Sequence, residues 1–438
     1  MRSKNSLHTL LHSTTKLVVL LVLVFTMSAL VAAQKEATIY NFQARYDGAE
    51  PVGLIADSAG NLYGTTYQGG GSHNCGGNGT APIGCGTVFE LIAPTHSGGH
   101  WTETLLYVLR GGTTDGVGPS SPLVFDQAGN LYGSTLNGGA SGLGTIFQLT
   151  PPAQPGHAWT ETVLYSFGSS EGGGPRGLAI DTEGNLYGEA NGADTDGQIF
   201  ELSPPSAPGG SWTYSSLISF TGANGADPNG GLILDAHGNL YGATFAGGTG
   251  TGPGCPGGNN CGLVFELAKP ATEGGTWTER VLYNFTGTNG DGASPFGGVI
   301  FHGGNHLYGT TAYGGNDIGD GTVFELSPGP DGWTATTLYQ FNRNTGGFRP
   351  DAGVVFDHQG NLYSTTTFSA DNGGEVFKLA APASAGDPWA FALLYDFNCT
   401  TGGGCSPLST PVNRGNQLFG AAYSGGTAGA GFIYGIIP

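Results

Sequence analysis

Apolar residues run through this chain in short bursts, each bounded by Gly, Pro, Asn or Asp, and four kinds of burst recur in fixed order. The first full set reads "GLIAD" (53–57), "NLYGTTY" (61–67), "GTVFEL" (86–91) and "WTETLLYVL" (101–109). Leu, β-branched and aromatic residues dominate each burst, the composition of strands bounded by turn residues. No stretch keeps a helical period long enough to compete. Between the first two bursts stands "D-x-x-G-N", as in "DSAGN" (57–61) and "DTEGN" (181–185). Asp can accept from its own following backbone, and Gly and Asn tolerate positive φ, so this link predicts a tight hairpin turn. A calcium ligand is the rival role for this Asp. Two units replace it, with Gly303 and Asn413, which a turn tolerates and an ion site does not.

The set of four returns seven times. Its Leu falls at Leu62, Leu131, Leu186, Leu240, Leu307, Leu362 and Leu418, at intervals of 54 to 69 residues. All six tryptophans (Trp101, Trp159, Trp212, Trp277, Trp333, Trp389) occupy one place in the pattern. The expected fold is all-β: a seven-bladed β-propeller of four-stranded blades, forming a single domain over 34–438. A linear solenoid would carry atypical capping repeats at its ends. Here the ends are fractions of one ordinary repeat. The strands are labelled a to d in chain order. The last unit supplies a (about 409–414), b ("NQLFGAAY") and c ("GFIYGII") and lacks d, whereas "ATIYNF" (37–42) is a d strand without its unit. The N-terminal strand is therefore expected to complete the last blade and to close the ring, leaving no exposed sheet edge.

The units "D-x-x-GNLYG-x-T", "G-x-VFEL" and "W-x-E-T-x-LY-x-F" resemble the GloVer tandem repeat of exported bacterial proteins, over residues 37 to 438. The cadence is also similar, more loosely, to NHL-type propeller repeats. The resemblance implies a secreted or surface propeller, and it brings no catalytic residues to carry over. Some relatives end in a sorting anchor. This chain ends at "FIYGIIP" with no such pattern, which points to a freely exported form.

Composition adds a compartment. Arg2, Lys4 and Lys16 precede or flank the apolar run 17–32, and small residues stand at Val31 and Ala33, the pattern of a signal peptide over 1–33 cleaved after Ala33. An uncleaved anchor is the other reading. The run is shorter than the roughly 20 residues a membrane span needs. Those three are the only charged residues before position 34, so 10 basic and 32 acidic residues remain, a net charge of −22. Such a surface repels phosphate backbones and anionic headgroups, which argues against nucleic-acid and membrane-surface partners. The cysteines form three close pairs, Cys75/Cys85, Cys255/Cys261 and Cys399/Cys405. Six cysteines allow 15 connectivities. Local pairing is the economical one, and export makes disulfides reasonable. A metal site would want closer spacing and nearby histidines. No metal and no cofactor is called for, and a monomer is expected.

Chemistry is harder to place. The b–c and d–a loops emerge on one side of the ring, vary most in length and hold every cysteine. Variable loops on a rigid scaffold are where binding residues concentrate. The d–a loops bring Asp47, Asp115, Asp227, Asp291 and Asp351 near strand a, a candidate collar for a ligand at the channel mouth; ordinary "DG" turn chemistry is the alternative. The strand glutamates Glu90, Glu201, Glu266 and Glu325 are repeat features, replaced by Gln148 and Lys378, and read as structural. His302 and His306 share a turn and are the only histidine pair suited to a metal. Two functions fit. One is a noncatalytic binding or scaffold module whose partner is a polysaccharide or a surface protein. The other is a carbohydrate-active hydrolase or lyase with paired carboxylates at the channel mouth.

Overall fold

The computed structural model describes residues 37–438 apart from 73–74, 76–83, 97–98, 155, 208, 257–259, 273, 317–318, 370–371, 385 and 400–404. The expected signal segment lies outside the described residues. Strands form seven antiparallel blades set around an axis, a seven-bladed β-propeller, with Gly292–Ala293 and Tyr313–Gly314 pairing as a separate two-stranded piece of the fifth. Blade 1 runs Ala49–Ala56 (a), Leu62–Gln68 (b), Thr87–Ile92 (c) and Thr102–Val108 (d). Blades 2 to 6 repeat this order. In blade 7, Val412–Arg414, Gln417–Ala422 and Phe432–Ile436 serve as a, b and c, and Ala37–Asn41 pairs with the last of them, Ala37 opposite Gly435 and Asn41 opposite Phe432. The chain's first strand is the missing d strand.

Alternation explains why neighbours in "NLYG" are both buried. Leu62 packs into a cluster with Phe419 and Ile433 of blade 7, while Tyr63 packs with Leu123 and Phe147 of blade 2. Successive strand residues face opposite sides of a sheet, and each side here is covered by another blade. The Gly that follows is required. A Cβ at Gly64 would overlap the Phe89 ring and the carbonyl of Gly53.

The seams between blades are alike all the way round. The residue before each blade's first proline (Glu50, Gly118, Gly174, Asp227, Ser294, Arg349 and Ser406) has φ between 53° and 68°. In each case its N–H donates across the seam to a carbonyl of the preceding blade, on Ala430, Cys85, Leu143, Asp196, Cys261, Asp320 and Gly373 respectively, at 2.6–3.0 Å. The prolines themselves are buried. Each ring presses on the next glycine of the preceding blade, so that a Cβ there would meet it within 3 Å. The seventh seam uses Pro51 on Gly431 and has the same geometry as the other six. The ring is therefore closed twice, by the clasp strand and by an ordinary seam.

The a–b turn is the expected hairpin. Oδ1 of Asp57 accepts from the N–H of Gly60 and of Asn61, and Oδ2 accepts from Asn61 Nδ2 at 3.0 Å. Asp126, Asp181, Asp235 and Asp357 clamp their Asn in the same way. Pairing in the two exceptional blades puts His302 opposite His306 and Arg414 opposite Gln417, so these residues, and not Gly303 and Asn413, stand where the Asp would be. The strand glutamates tie strand b to strand c: Tyr63 Oη donates to Glu90 at 2.8 Å, and Tyr241 Oη to Glu266 at 3.0 Å.

Candidate functional site

Strand a, innermost in each blade, is interrupted or bulged just after its proline. In blade 2 it splits into Gly116–Pro119 and Val124–Phe125, in blade 4 into Ala226–Pro228 and Ile233–Leu234. Blades 1 and 3 keep one strand with register shifts at the same place. Proline has no N–H for the ladder, and the positive-φ residue before it turns the backbone out of the pleat. The residue after the proline thereby leaves the regular ladder, although Arg176 still pairs with Glu189, and reaches the channel. Round the ring these residues are Val52, Ser120, Arg176, Asn229, Phe296, Asp351 and Leu408. All seven line one cavity of about 470 Å³ on the loop face, joined by Tyr67, Leu136 and Tyr423 from the ends of b strands. A second cavity of about 250 Å³ shares Ser120, Arg176 and Asn229 with it and continues along the channel between Leu123, Leu178, Leu232, Val299 and Val354.

The mouth is chemically uneven. Val52 and Leu408, in adjacent blades 1 and 7, make an apolar side with Tyr67 and Tyr423, whose Oη donates to Glu50 at 2.8 Å. Blades 2 to 4 contribute hydrogen-bonding groups. Arg176 donates from Nη1 to Asn229 Oδ1 at 3.0 Å. Asp351 is 5% exposed; its Oδ2 accepts from Thr367 Oγ1 at 2.6 Å and lies 3.3 Å from Arg349 Nη2, while its Oδ1 has no partner. Burial pushes the Asp351 carboxyl above the usual carboxylate range, with Arg349 pulling the other way. Behind strand a of blade 3 lies Glu189, fully buried, where other blades have Thr, Ser or Ala. Its Oε2 accepts from Gly231 N–H at 3.0 Å, and burial raises its pKa to about 8 against the opposing pull of Arg176.

The five aspartates expected as a collar fall in three different places. Asp47, Asp115 and Asp291 lie four residues before their prolines and cap the d–a turns. Asp47 accepts from Gln43 N–H and Tyr40 Oη, Asp115 from Arg110 N–H and Tyr107 Oη, and Asp291 from Thr286 N–H and Tyr283 Oη. Asp227 is exposed at a seam position. Asp351 alone of the five lines the cavity. The other ring residues were missed. The signal available was alignment of the seven "P-x" dipeptides, whose second residue differs in every unit.

The three disulfides have the local pairing, Cys75–Cys85, Cys255–Cys261 and Cys399–Cys405. They fit an oxidising compartment. Two supply seam carbonyls directly, those of Cys85 and Cys261, and Cys405 precedes the seam donor Ser406. The loops around the mouth are thus fastened where blades join. The two histidines of the blade 5 turn are separately engaged: the His302 ring stacks on Phe356 at 3.8 Å, and His306 Nδ1 lies 2.6 Å from Glu325. Among the described residues no group of three or more His, Cys, Asp or Glu is placed to hold a metal ion.

The profile of the Gloeobacter/Verrucomicrobia repeat matches residues 77–255 and 251–434. The chain belongs to this repeat family. Among solved structures, the PQQ-bound aldose sugar dehydrogenase from Streptomyces coelicolor is similar over 92% of this chain and 98% of its own, at 13% identity and a TM-score of 0.42. A luciferin-regenerating enzyme is similar over 75% and 92%, at 13% identity and a TM-score of 0.41. At that distance the likeness carries no argument about activity. A search of curated proteins finds no significant match.

Proposed function

We propose that this member of the repeat family is an exported, noncatalytic binding propeller, its signal segment removed after Ala33, which takes up a saccharide at the loop-face mouth of its channel. One observation carries the reading. Seven seams of identical backbone geometry project seven different side chains into one cavity. A concave site with apolar and aromatic walls and a few convergent polar groups is the usual form of a small-ligand pocket. Tyr67, Phe296 and Tyr423 offer ring faces to sugar C–H groups, and Ser120 and Asn229 offer hydrogen bonds to hydroxyls.

The hydrolase reading asks for a pair of carboxylates roughly 5 to 9.5 Å apart across the scissile bond. Asp351 is the one carboxylate among the described residues lining the cavity, which favours binding over turnover. The test is a saccharide-binding and turnover screen on the mature protein, repeated with Phe296→Ala. Binding without product, weakened at least about fivefold by the loss of one aromatic contact, is the expected result. Release of new reducing ends, or binding indifferent to Phe296→Ala, would overturn the reading.

A further inference from the structure

The mouth holds a cation without a counter-ion. Arg280, Arg343 and Arg349 each lie within 4 Å of a carboxylate, on Glu266, Asp320 and Asp351. Arg176, only half-buried and at the cavity wall, has no such ion pair among the described residues; it donates instead to the neutral amide of Asn229. Glu189, opposite it on strand b, is fully buried and forms no salt bridge with it, and burial pushes its pKa up to about 8. Arg45 and Arg414 also have no carboxylate within 4 Å among the described residues, but Arg176 is the one that lines the cavity. Three blades further round, the Asp351 carboxyl is closed off: Oδ2 is engaged by Thr367 and Arg349, and Oδ1 is buried from solvent. Phe296 stands in the blade between Asn229 and Asp351.

We propose that the saccharide bound at the mouth is an acidic one, a uronic-acid unit whose carboxylate seats on Arg176. This rests on the binding reading above and names the ligand class. A guanidinium fork matches a planar carboxylate through two parallel N–H bonds. A phosphate monoester, close to doubly charged at neutral pH, asks for more positive charge than this wall supplies, since Arg176 is the one basic residue among those lining the cavity. It would also favour a helix N-terminus or a run of inward N–H groups, and the seam N–H groups are already donated to carbonyls. A neutral sugar would leave the guanidinium unpaired.

The experiment is calorimetric titration of the mature protein at pH 7 and low salt with three probes: a uronic-acid trisaccharide, a neutral hexose trisaccharide of equal length and a sulfated trisaccharide. The uronic-acid probe should bind at least about tenfold more tightly than the other two, as a charge-assisted bond predicts, and its advantage should shrink as salt is raised. Arg176→Gln should abolish the advantage. Arg176→Lys keeps the charge without the fork, guards against loss of fold, and should retain part of it. Asp351→Asn, which leaves the Arg176 guanidinium in place, should leave the ratio of the three probes standing. Equal binding of the acidic and neutral probes, or preference for the sulfated one, overturns this inference and leaves the binding function in place. Failure of the wild type to bind any of the three overturns the binding function itself.

Discussion

The two ends of the channel are made by the same seven repeats and differ in what they hold constant. On the turn face, five of seven a–b hairpins close with the same Asp–Asn clamp. A recess of about 700 Å³ lies there between the turns of blades 2, 3 and 4, walled by Asp126, Asp181, Asp235 and Lys269. Its three aspartates are already committed to their own turns, and its fourth acid, Glu183, is exposed. On the loop face no two of the seven residues following the prolines are alike. The reason is mechanical. A turn residue whose side chain makes the backbone conformation must be of one kind. A ring residue whose backbone is fixed on one side by a proline and a cross-seam hydrogen bond is free to be any kind. Repetition in the seam is what permits variety at the mouth.

The largest test of this division removes the closure that both faces share. Deleting residues 37–42 takes away the d strand of blade 7 and the fully buried Phe42, whose truncation alone is worth about 3–5 kcal/mol. Thermal melting should show a larger loss than any single substitution, or the protein should aggregate through the exposed edge of Phe432–Ile436. An unchanged melting temperature would show that the Pro51–Gly431 seam suffices alone.

That seam can be broken by one methyl group. Gly431 has φ of 89°, and a Cβ there would strike Pro51, so Gly431→Ala combines backbone strain with overpacking, a loss of roughly 2–4 kcal/mol. Gly142 has φ of 76° with nothing within 4 Å of its Cβ position, so Gly142→Ala isolates the strain, at about 1 kcal/mol. Equal losses in chemical denaturation would mean that the proline contact contributes nothing to the ring.

Much of this was legible in sequence because it is periodic. The phase of the repeat placed "ATIYNF" in the last blade, the spacing of cysteines gave their pairing, and Asp replacement at two units marked that position as a turn. The mouth was not legible in the same way. Asp47, Asp115 and Asp291 are prominent because they recur, and they recur because they cap a turn. Arg176 does not recur and was not distinguishable from loop variation, and Asp351 was picked out only as one of five d–a aspartates, without its place on the ring. What picks them out is the positive φ before each proline and a hydrogen bond joining residues of different blades, such as Glu50 and Ala430. Neither leaves a residue-type signature, since Glu, Gly, Asp, Ser and Arg all occupy the seam position.

Glu189 breaks the uniformity of the seam wall and should be visible in the pH dependence of stability. Its folded pKa of about 8 lies above that of an unfolded Glu, so the folded protein retains a proton that the unfolded chain has lost. Stability from this group is full below the unfolded pKa and falls as pH rises from about 4.5 to about 8. Burial raises Glu103, Glu161 and Glu375 to about 7, which adds to the slope in the same direction. Glu189→Gln keeps an acceptor for Gly231 N–H and removes the titration. The variant should match the wild type near pH 5 and exceed it above pH 8, by on the order of a kcal/mol or more. A gain independent of pH would point to a packing effect instead.

The smallest effect on stability is expected at the mouth itself, and it is best read as a pair. Asp126→Ala on the turn face removes the acceptor for Ala128 N–H, Asn130 N–H, Asn130 Nδ2 and Tyr132 Oη. Loss of that clamp should lower stability by about 1–2 kcal/mol and leave ligand affinity alone. Leu408→Ser on the loop face changes a side chain that is 39% exposed and whose backbone is held by Pro407 and the Ser406 seam bond. Its stability should stay within about 0.5 kcal/mol of the wild type, as for surface positions generally. Its affinity for a bound saccharide should fall, because the apolar side of the cavity loses one of its walls. Were Leu408→Ser the more destabilising of the two and neutral for binding, the ring residues would be structural after all, and the contrast between the faces would reduce to loop length.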